Sequence, residues 1–225
     1  ILEFGPAAGA KSEVHYPQIA QAPAAQPPRA SREAWDSPRF LFVGSQFEIK
    51  GGAALLRAFK EVHAAVPTAC LDIVTHLPDA RFALAEQPGV AVHPANLDRA
   101  ALWQRLFSQA DVLVLPTFVE SFGMVALEAL AHGLAVIATD LYALPEMVKD
   151  GVNGALIHAP LSIWDGYRPG QLYRALDTVP EAAARLETTA FELNLAAAMI
   201  HLCDRATLAL AQKASRLLYE EHFVR

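Results

Sequence analysis

At 225 residues, 53% hydrophobic and 19% charged, the chain is long enough to bury a sizeable core and too apolar to be disordered. Its formal net charge of −6 excludes a general nucleic-acid binder, whose affinity depends on concentrated positive charge. No uninterrupted apolar run reaches the length of a membrane span. The first residue is Ile1, with neither an initiator Met nor a basic segment behind it, so the start reads as the interior of a longer polypeptide and not as a signal peptide. Cys70 and Cys203 lie far apart without metal-type spacing. Their expected places, a strand and a helix, make them buried thiols of a reducing compartment.

Residues 1–38 are rich in Ala, Pro and Gln and carry neither a helical nor an alternating apolar period, which predicts an irregular linker. A compact alternation of strands and helices begins at Arg39. The expected strands are 39–44, 69–75, 90–93, 111–115, 134–138 and 154–157. Between them the pattern predicts a helix over 53–65, a short one near 79–86 and an amphipathic one over 97–109 with Leu102, Leu106 and Phe107 on its apolar side. A further helix starts at Ser121 and stops at Gly133, and a short one covers 144–149. This order predicts an α/β fold, a doubly wound, Rossmann-like parallel sheet with right-handed crossovers. Ligands of such sheets bind beyond the carboxyl ends of the strands, which gathers the loops at 44–52, 94–96 and 116–123 around one crevice. After Pro160 an irregular connector over 161–170 leads to extra C-terminal helices over 171–178, 181–198 (or on to 202) and 206–219. The chain so divides into a lead (1–38), an α/β domain (39–160) and a helical extension (161–225).

The segment best suited to chemistry is ESFGMVALEALAHG, residues 120–133, behind the apolar strand that ends at Leu115 and Pro116. Ser121 is a suitable N-cap and Gly133 a suitable stop. A helix start offers unpaired N–H groups and partial positive charge, which suit a phosphate. Gly123 lets a ligand approach the backbone without meeting a Cβ. Glu120 in the loop and Glu128, about two turns inside the helix, are acceptors for sugar hydroxyls on either side of a diphosphate. Taken alone, this reads first as an ordinary amphipathic helix with Glu120 at its start for dipole reasons and Glu128 in solvent.

The whole string resembles the Glu–seven residues–Glu signature of retaining glycosyltransferases of the GT-B fold, glycosyltransferase family 4 in particular. The resemblance runs on through LAVIATD at 134–140, LPEMV at 144–148 and DGVNG at 150–154, and upstream through FLFVG at 40–44 and FEIKGG at 47–52, covering residues 39–158 in order. It implies the C-terminal, donor-binding domain of a hexosyltransferase-type enzyme that moves a sugar from a nucleoside diphosphate sugar to an acceptor, needing neither metal nor other cofactor. The donor-binding residues it implies are Gly44, Ser45, Lys50, Glu120, Ser121, Phe122, Gly123, Met124, Val125 and Glu128. Lys50 and the N–H groups of Phe122, Gly123 and Met124 would meet the departing diphosphate, where fixed donors usually matter most. Glu120 would orient the donor sugar, which makes Glu120 and Lys50 the expected catalytic residues, and Glu128 would grip the ribose hydroxyls.

The sequence departs from the family pattern at Ser45, which stands where an Arg is usual. No Asp-x-Asp pair occurs, so a two-carboxylate metal clamp is not expected. Catalysis in this family lies between two domains, so the implied partner is an N-terminal GT-B domain carrying the acceptor site, without which the chain is expected to be inactive. The implied location is the cytoplasm, with any attachment to a membrane surface made through that domain. Two other readings stay open: a non-catalytic nucleotide-sugar-binding or scaffolding module, which Ser45 and the long lead favour, and a GT-B-fold epimerase, against which the Glu–Glu helix argues. His76 and His93 follow strands at the ligand edge, as base or phosphate contacts or as capped loop histidines. His132, at a helix end, reads as structural, Glu146 as a support for the crevice or a helix-start residue, and Trp103 as core or interface.

Overall fold

A computed structural model of the protein describes residues 15–19, 37–161, 164–165, 168–169 and 179–224. Six strands make the main sheet: β1 (Arg39–Gln46), β2 (Cys70–His76), β3 (Val90–Pro94), β4 (Val112–Leu115), β5 (Ala135–Thr139) and β6 (Gly154–Ile157). Trp164–Asp165 (β7) and Arg168–Pro169 (β8) form a small antiparallel pair. The helices are α1 (Gly52–Ala65), α2 (Phe82–Ala85), α3 (Arg99–Leu102), α4 (Met124–His132), α5 (Leu144–Met147), α6 (Val179–Arg185), α7 (Thr189–His201) and α8 (Arg205–His222).

The sheet order is β3-β2-β1-β4-β5-β6, with every pairing parallel. This is the doubly wound arrangement that the alternation predicts. The chain winds outward from β1 to β3, then returns to the other side of β1 as β4. The exit loops of β1 and β4 therefore diverge at the switch point and open a crevice. β4 is an unbroken apolar run and β5 is apolar up to Thr139, and both are buried throughout, because helices cover both faces of a parallel sheet. The two-residue period sorts their side chains. Phe40, Phe42, Leu71, Ile73, Val112, Val114 and Ile137 face α1 and α7, whereas Leu41, Leu113, Leu115, Val136 and Ala138 face α4 and the end of α8.

Several local expectations change. The helix expected over 97–109 is a single turn, α3, that passes at Trp103 into a wider turn over Trp103–Phe107. Ser108 N–H donates to Trp103 O at 3.0 Å, and the extra residue turns both Leu106 and Phe107 into the core. β1 runs past Gly44 to Gln46, with a register slip after Val43. The helix expected over 181–198 is split into α6 and α7. Glu187 accepts the Thr189 N–H at 2.8 Å and the Thr188 hydroxyl bonds Glu192, so local side chains start a new helix there. The connector over 161–170 contains the β7–β8 pair, and the helix expected over 171–178 lies outside the described residues. Cys203 sits in the turn after α7 instead of in a helix, and both it and Cys70 are half-buried. Burial nevertheless pushes the Cys203 thiol up to about 11.

The C-terminal helices complete the same core. Phe191, Leu195, Met199 and Leu208 join the cluster beneath α1, while Tyr219 and Phe223 join the one around α4. Where α8 crosses between them, buried Gln212 donates to Asp111 O at 3.1 Å and Ser215 to Asn153 O at 3.4 Å. α8 thus runs beneath the amino ends of β4 and β6, opposite the crevice. Of the lead, Tyr16 lies with its ring 4.8 Å from that of Phe223 and 6.3 Å from that of Phe122.

Candidate functional site

The turn between β1 and α1 is built to press against the exit of β4. Lys50 N–H donates to Gln46 O and Gly52 N–H to Phe47 O, both at 2.9 Å. Gly51 between them has φ +74°, and a Cβ there would lie 2.0 Å from the Pro116 carbonyl oxygen. Only glycine permits both the left-handed backbone and that approach. Phe118 N–H then donates to Ile49 O at 2.8 Å, tying the two exits together. Thr117 Oγ1 donates to Val119 O at 2.6 Å and Thr139 Oγ1 to Thr117 O at 2.7 Å, which fixes the β4 loop.

This packing aims Lys50. Its stem crosses Gly44, where a Cβ would lie 3.0 Å from Lys50 Cγ. Its ammonium donates to Val119 O at 3.0 Å and to Glu120 Oε2 at 2.9 Å. The other carboxylate oxygen of Glu120 accepts the Ser121 N–H at 3.0 Å. The pair is half-enclosed, with side-chain exposures of 20% for Lys50 and 11% for Glu120, so solvent screens it less than a surface pair.

α4 starts later than its sequence suggests. The N-cap is Gly123, at φ +89°, with no side-chain capping bond, and the first helical residue is Met124. Ser121 is therefore not the cap. A Cβ at Gly123 would lie 2.7 Å from Leu144 Cδ2, so α5 occupies the space that a side chain would need. Without a capping side chain, the first N–H groups of the helix stay available to an anion. The later start also places Glu128 five residues from the cap, about one and a half turns, against the two turns expected.

Glu128 does not lie in solvent. It is flanked by buried Ala126, Leu127, Ala129 and Leu130, and only 4% of its side chain is exposed. Arg99, the first residue of α3, donates from Nη1 to Glu128 Oε1 while remaining 60% exposed itself. Burial holds the Glu128 carboxyl above the ordinary 4.5, and Arg99 pulls it partway back. The Arg99 guanidinium also lies 5.9 Å from the ring centre of Trp103, whose buried indole lies beside the Glu128 carboxyl without a well-formed hydrogen bond. One turn on, His132 Nδ1 is 2.8 Å from Glu128 O, with Trp103 and Phe107 against its ring. Burial lowers the His132 pKa from 6.5.

The expected residues thus fall into two ion pairs. Gly44, Lys50, Glu120 and Ser121 come together at the switch point, while Glu128 pairs with Arg99 farther along α4. Phe122, Met124 and Val125 are half-buried at the helix start, and Ser45 is exposed. His93 Nε2 is 2.7 Å from Asp72 Oδ1, and His76 is exposed at the end of β2. Glu146 accepts the Tyr16 hydroxyl at 2.6 Å. Arg99 is the residue that sequence reasoning missed. Its signal was its place directly after the Asp98 cap, whose carboxylate accepts the Ala101 N–H at 2.7 Å, three residues past the 94–96 loop assigned to the crevice. Among the described residues, no group of three His, Cys, Asp or Glu side chains could hold a metal ion, and no helix is long and apolar enough to cross a membrane.

The sequence profile of the family described as Glycosyl transferases group 1 matches residues 37–165. The D-inositol 3-phosphate glycosyltransferase of Xylanimonas cellulosilytica is 39% identical over 137 residues, 56% of this chain and 32% of that protein. D-inositol 3-phosphate glycosyltransferase 2 of Catenulispora acidiphila is 33% identical over 178 residues, 70% of this chain. The chain spans 32% and 39% of the length of these two relatives. Among solved structures, the pneumococcal O-GlcNAc transferase GtfA, in complex with UDP and GlcNAc, superposes with a TM-score of 0.59 at 19% identity over 83% of this chain and 32% of that one. The C-terminal domain of a group 1 glycosyl transferase from Francisella tularensis superposes with a TM-score of 0.58 at 17% identity, covering 89% of this chain and 94% of that domain. At such identities the likeness is one of fold. Its profile match and its sheet together establish that this chain belongs to the group 1 glycosyl transferases and has the Rossmann-like fold of a GT-B domain.

Proposed function

We propose that the chain is the donor-binding C-terminal domain of a retaining glycosyltransferase, which transfers a sugar from a nucleoside diphosphate sugar to an acceptor held by an N-terminal domain encoded elsewhere in a longer cytoplasmic polypeptide. The observation that carries this reading is the meeting of Lys50 and Glu120, 2.9 Å apart at the uncapped start of α4, on the side of the sheet where such folds bind ligands. The diphosphate lies against the N–H groups of Phe122, Gly123 and Met124 and takes the Lys50 ammonium. As the glycosidic bond breaks, these donors face the growing negative charge of the leaving group. Glu120 stays beside the sugar, which becomes positive as the diphosphate departs. Glu128 accepts the ribose hydroxyls. The reaction uses no metal, and the isolated chain lacks the acceptor site that turnover needs.

A specific feature favours a second reading. Both glutamates already hold a cation, and Ser45 supplies none, which also suits a non-catalytic module that has kept the fold. Calorimetric titration of the chain with UDP, GDP and ADP, with and without EDTA, separates the two. The donor reading predicts EDTA-insensitive binding of one of them that is lost in Lys50→Ala and in Glu128→Ala. Absence of binding to all three supports the scaffold.

A further inference from the structure

We infer that Arg99 is a displaceable occupant of the Glu128 acceptor site, released when a ligand diol enters, and so a residue that sets the affinity of the site; the inference rests on the donor reading above. Only 4% of the Glu128 side chain is exposed, and the cation paired with it is Arg99. A carboxylate accepts a vicinal diol with both oxygens, and the Arg99 guanidinium holds one of them. The two partners differ in how freely they move. Glu128 sits on a buried helix, whereas Arg99 is 60% exposed and stands at the start of a helix of four residues. Leaving Glu128 returns the guanidinium to water, where an arginine is readily solvated, and the exchange substitutes two hydroxyl donors for one cation. Trp103 reports on the exchange, because the guanidinium lies 5.9 Å from its ring centre in the closed pair.

The experiment compares UDP with its 2′-deoxy analogue on the whole chain, wild type and Arg99→Gln, by calorimetry and by tryptophan emission. Displacement predicts that Arg99→Gln binds UDP about fivefold more tightly, the size of one modest ion pair, while binding of 2′-deoxy-UDP changes less than about twofold. It also predicts that UDP shifts the emission of the wild type and that Trp103→Phe abolishes the shift. In a Glu128→Gln background the gain from Arg99→Gln disappears. Equal or weaker UDP binding by Arg99→Gln overturns the inference and makes Arg99 either a static support or a direct contact to the anion, with the donor reading intact. Failure of the wild type to bind UDP, GDP or ADP overturns the donor reading and this inference with it.

Discussion

The Lys50 ammonium donates to Glu120 at 2.9 Å and to Val119 O at 3.0 Å, bridging the exits of β1 and β4 at the point where the sheet reverses. Lys50→Met keeps the stem over Gly44 but removes the charge. It leaves Glu120, 11% exposed, without a cation, which is expected to lower stability by about 1–3 kcal/mol. Chemical denaturation reads that loss. Binding of a nucleoside diphosphate should weaken at least about tenfold, because the cation on the diphosphate is gone.

Gly123 and Gly133 flank α4 at φ +89° and φ +71°, yet their substitutions should differ. A Cβ at Gly133 meets nothing closer than 3.8 Å, whereas at Gly123 it lies 2.7 Å from Leu144 Cδ2. Gly133→Ala is expected to lose about 1 kcal/mol from backbone strain alone. Gly123→Ala adds a clash with a buried leucine and should lose roughly 2–3 kcal/mol. Thermal unfolding of the two variants measures the difference. Only Gly123→Ala should weaken ligand binding, since it re-aims the first N–H groups of α4.

A carboxylate enclosed among Ala126, Leu127, Ala129 and Leu130 does not serve stability. Glu128→Leu is expected to be neutral or stabilising by about 1–2 kcal/mol, while nucleotide binding is lost. The pH dependence carries a definite sign. Because the folded value of Glu128 is raised above 4.5, its favourable contribution is fully present below 4.5 and is lost as pH rises through the folded value. Unfolding curves recorded from pH 4 upward should show wild type losing stability relative to Glu128→Gln.

His132 runs the other way. Burial lowers its pKa from 6.5 in the folded chain, so its contribution is present above 6.5 and is lost as pH falls through the lower folded value. His132→Gln should therefore remove part of the acid sensitivity that wild type shows just below pH 6.5 in the same unfolding series. Protonation there would place a charge between Trp103 and Phe107, close to Arg216.

The sheet was legible because buried parallel strands write themselves as short apolar runs, as VLVL and AVIAT do, separated by helices of regular period. Lys50, Glu120 and Glu128 could be singled out as candidates only through the family resemblance, since taken alone each also reads as an ordinary helix or surface residue. Their partners were not legible. The salt bridge between Lys50 and Glu120 depends on the approach of Gly51 to Pro116, a contact between loops far apart in sequence, and Arg99 reaches Glu128 from another strand–helix unit. The cap at Ser121 failed because tertiary packing of Leu144 against Gly123 outweighs a local preference. The break at Thr188 failed because helix-forming residues stand on both sides of it, and only the local bonds that Glu187 and Glu192 accept from Thr189 and Thr188 reveal the boundary.

The most direct test of the central claim is calorimetric titration of UDP, GDP and ADP into the wild-type chain and into Lys50→Ala and Glu128→Ala, at neutral pH with EDTA present. One nucleotide binding the wild type and neither variant is the result predicted for a diphosphate held between Lys50 and the start of α4, with its sugar hydroxyls on Glu128. Binding that survives both substitutions, or no binding of any of the three to the wild type, would contradict it.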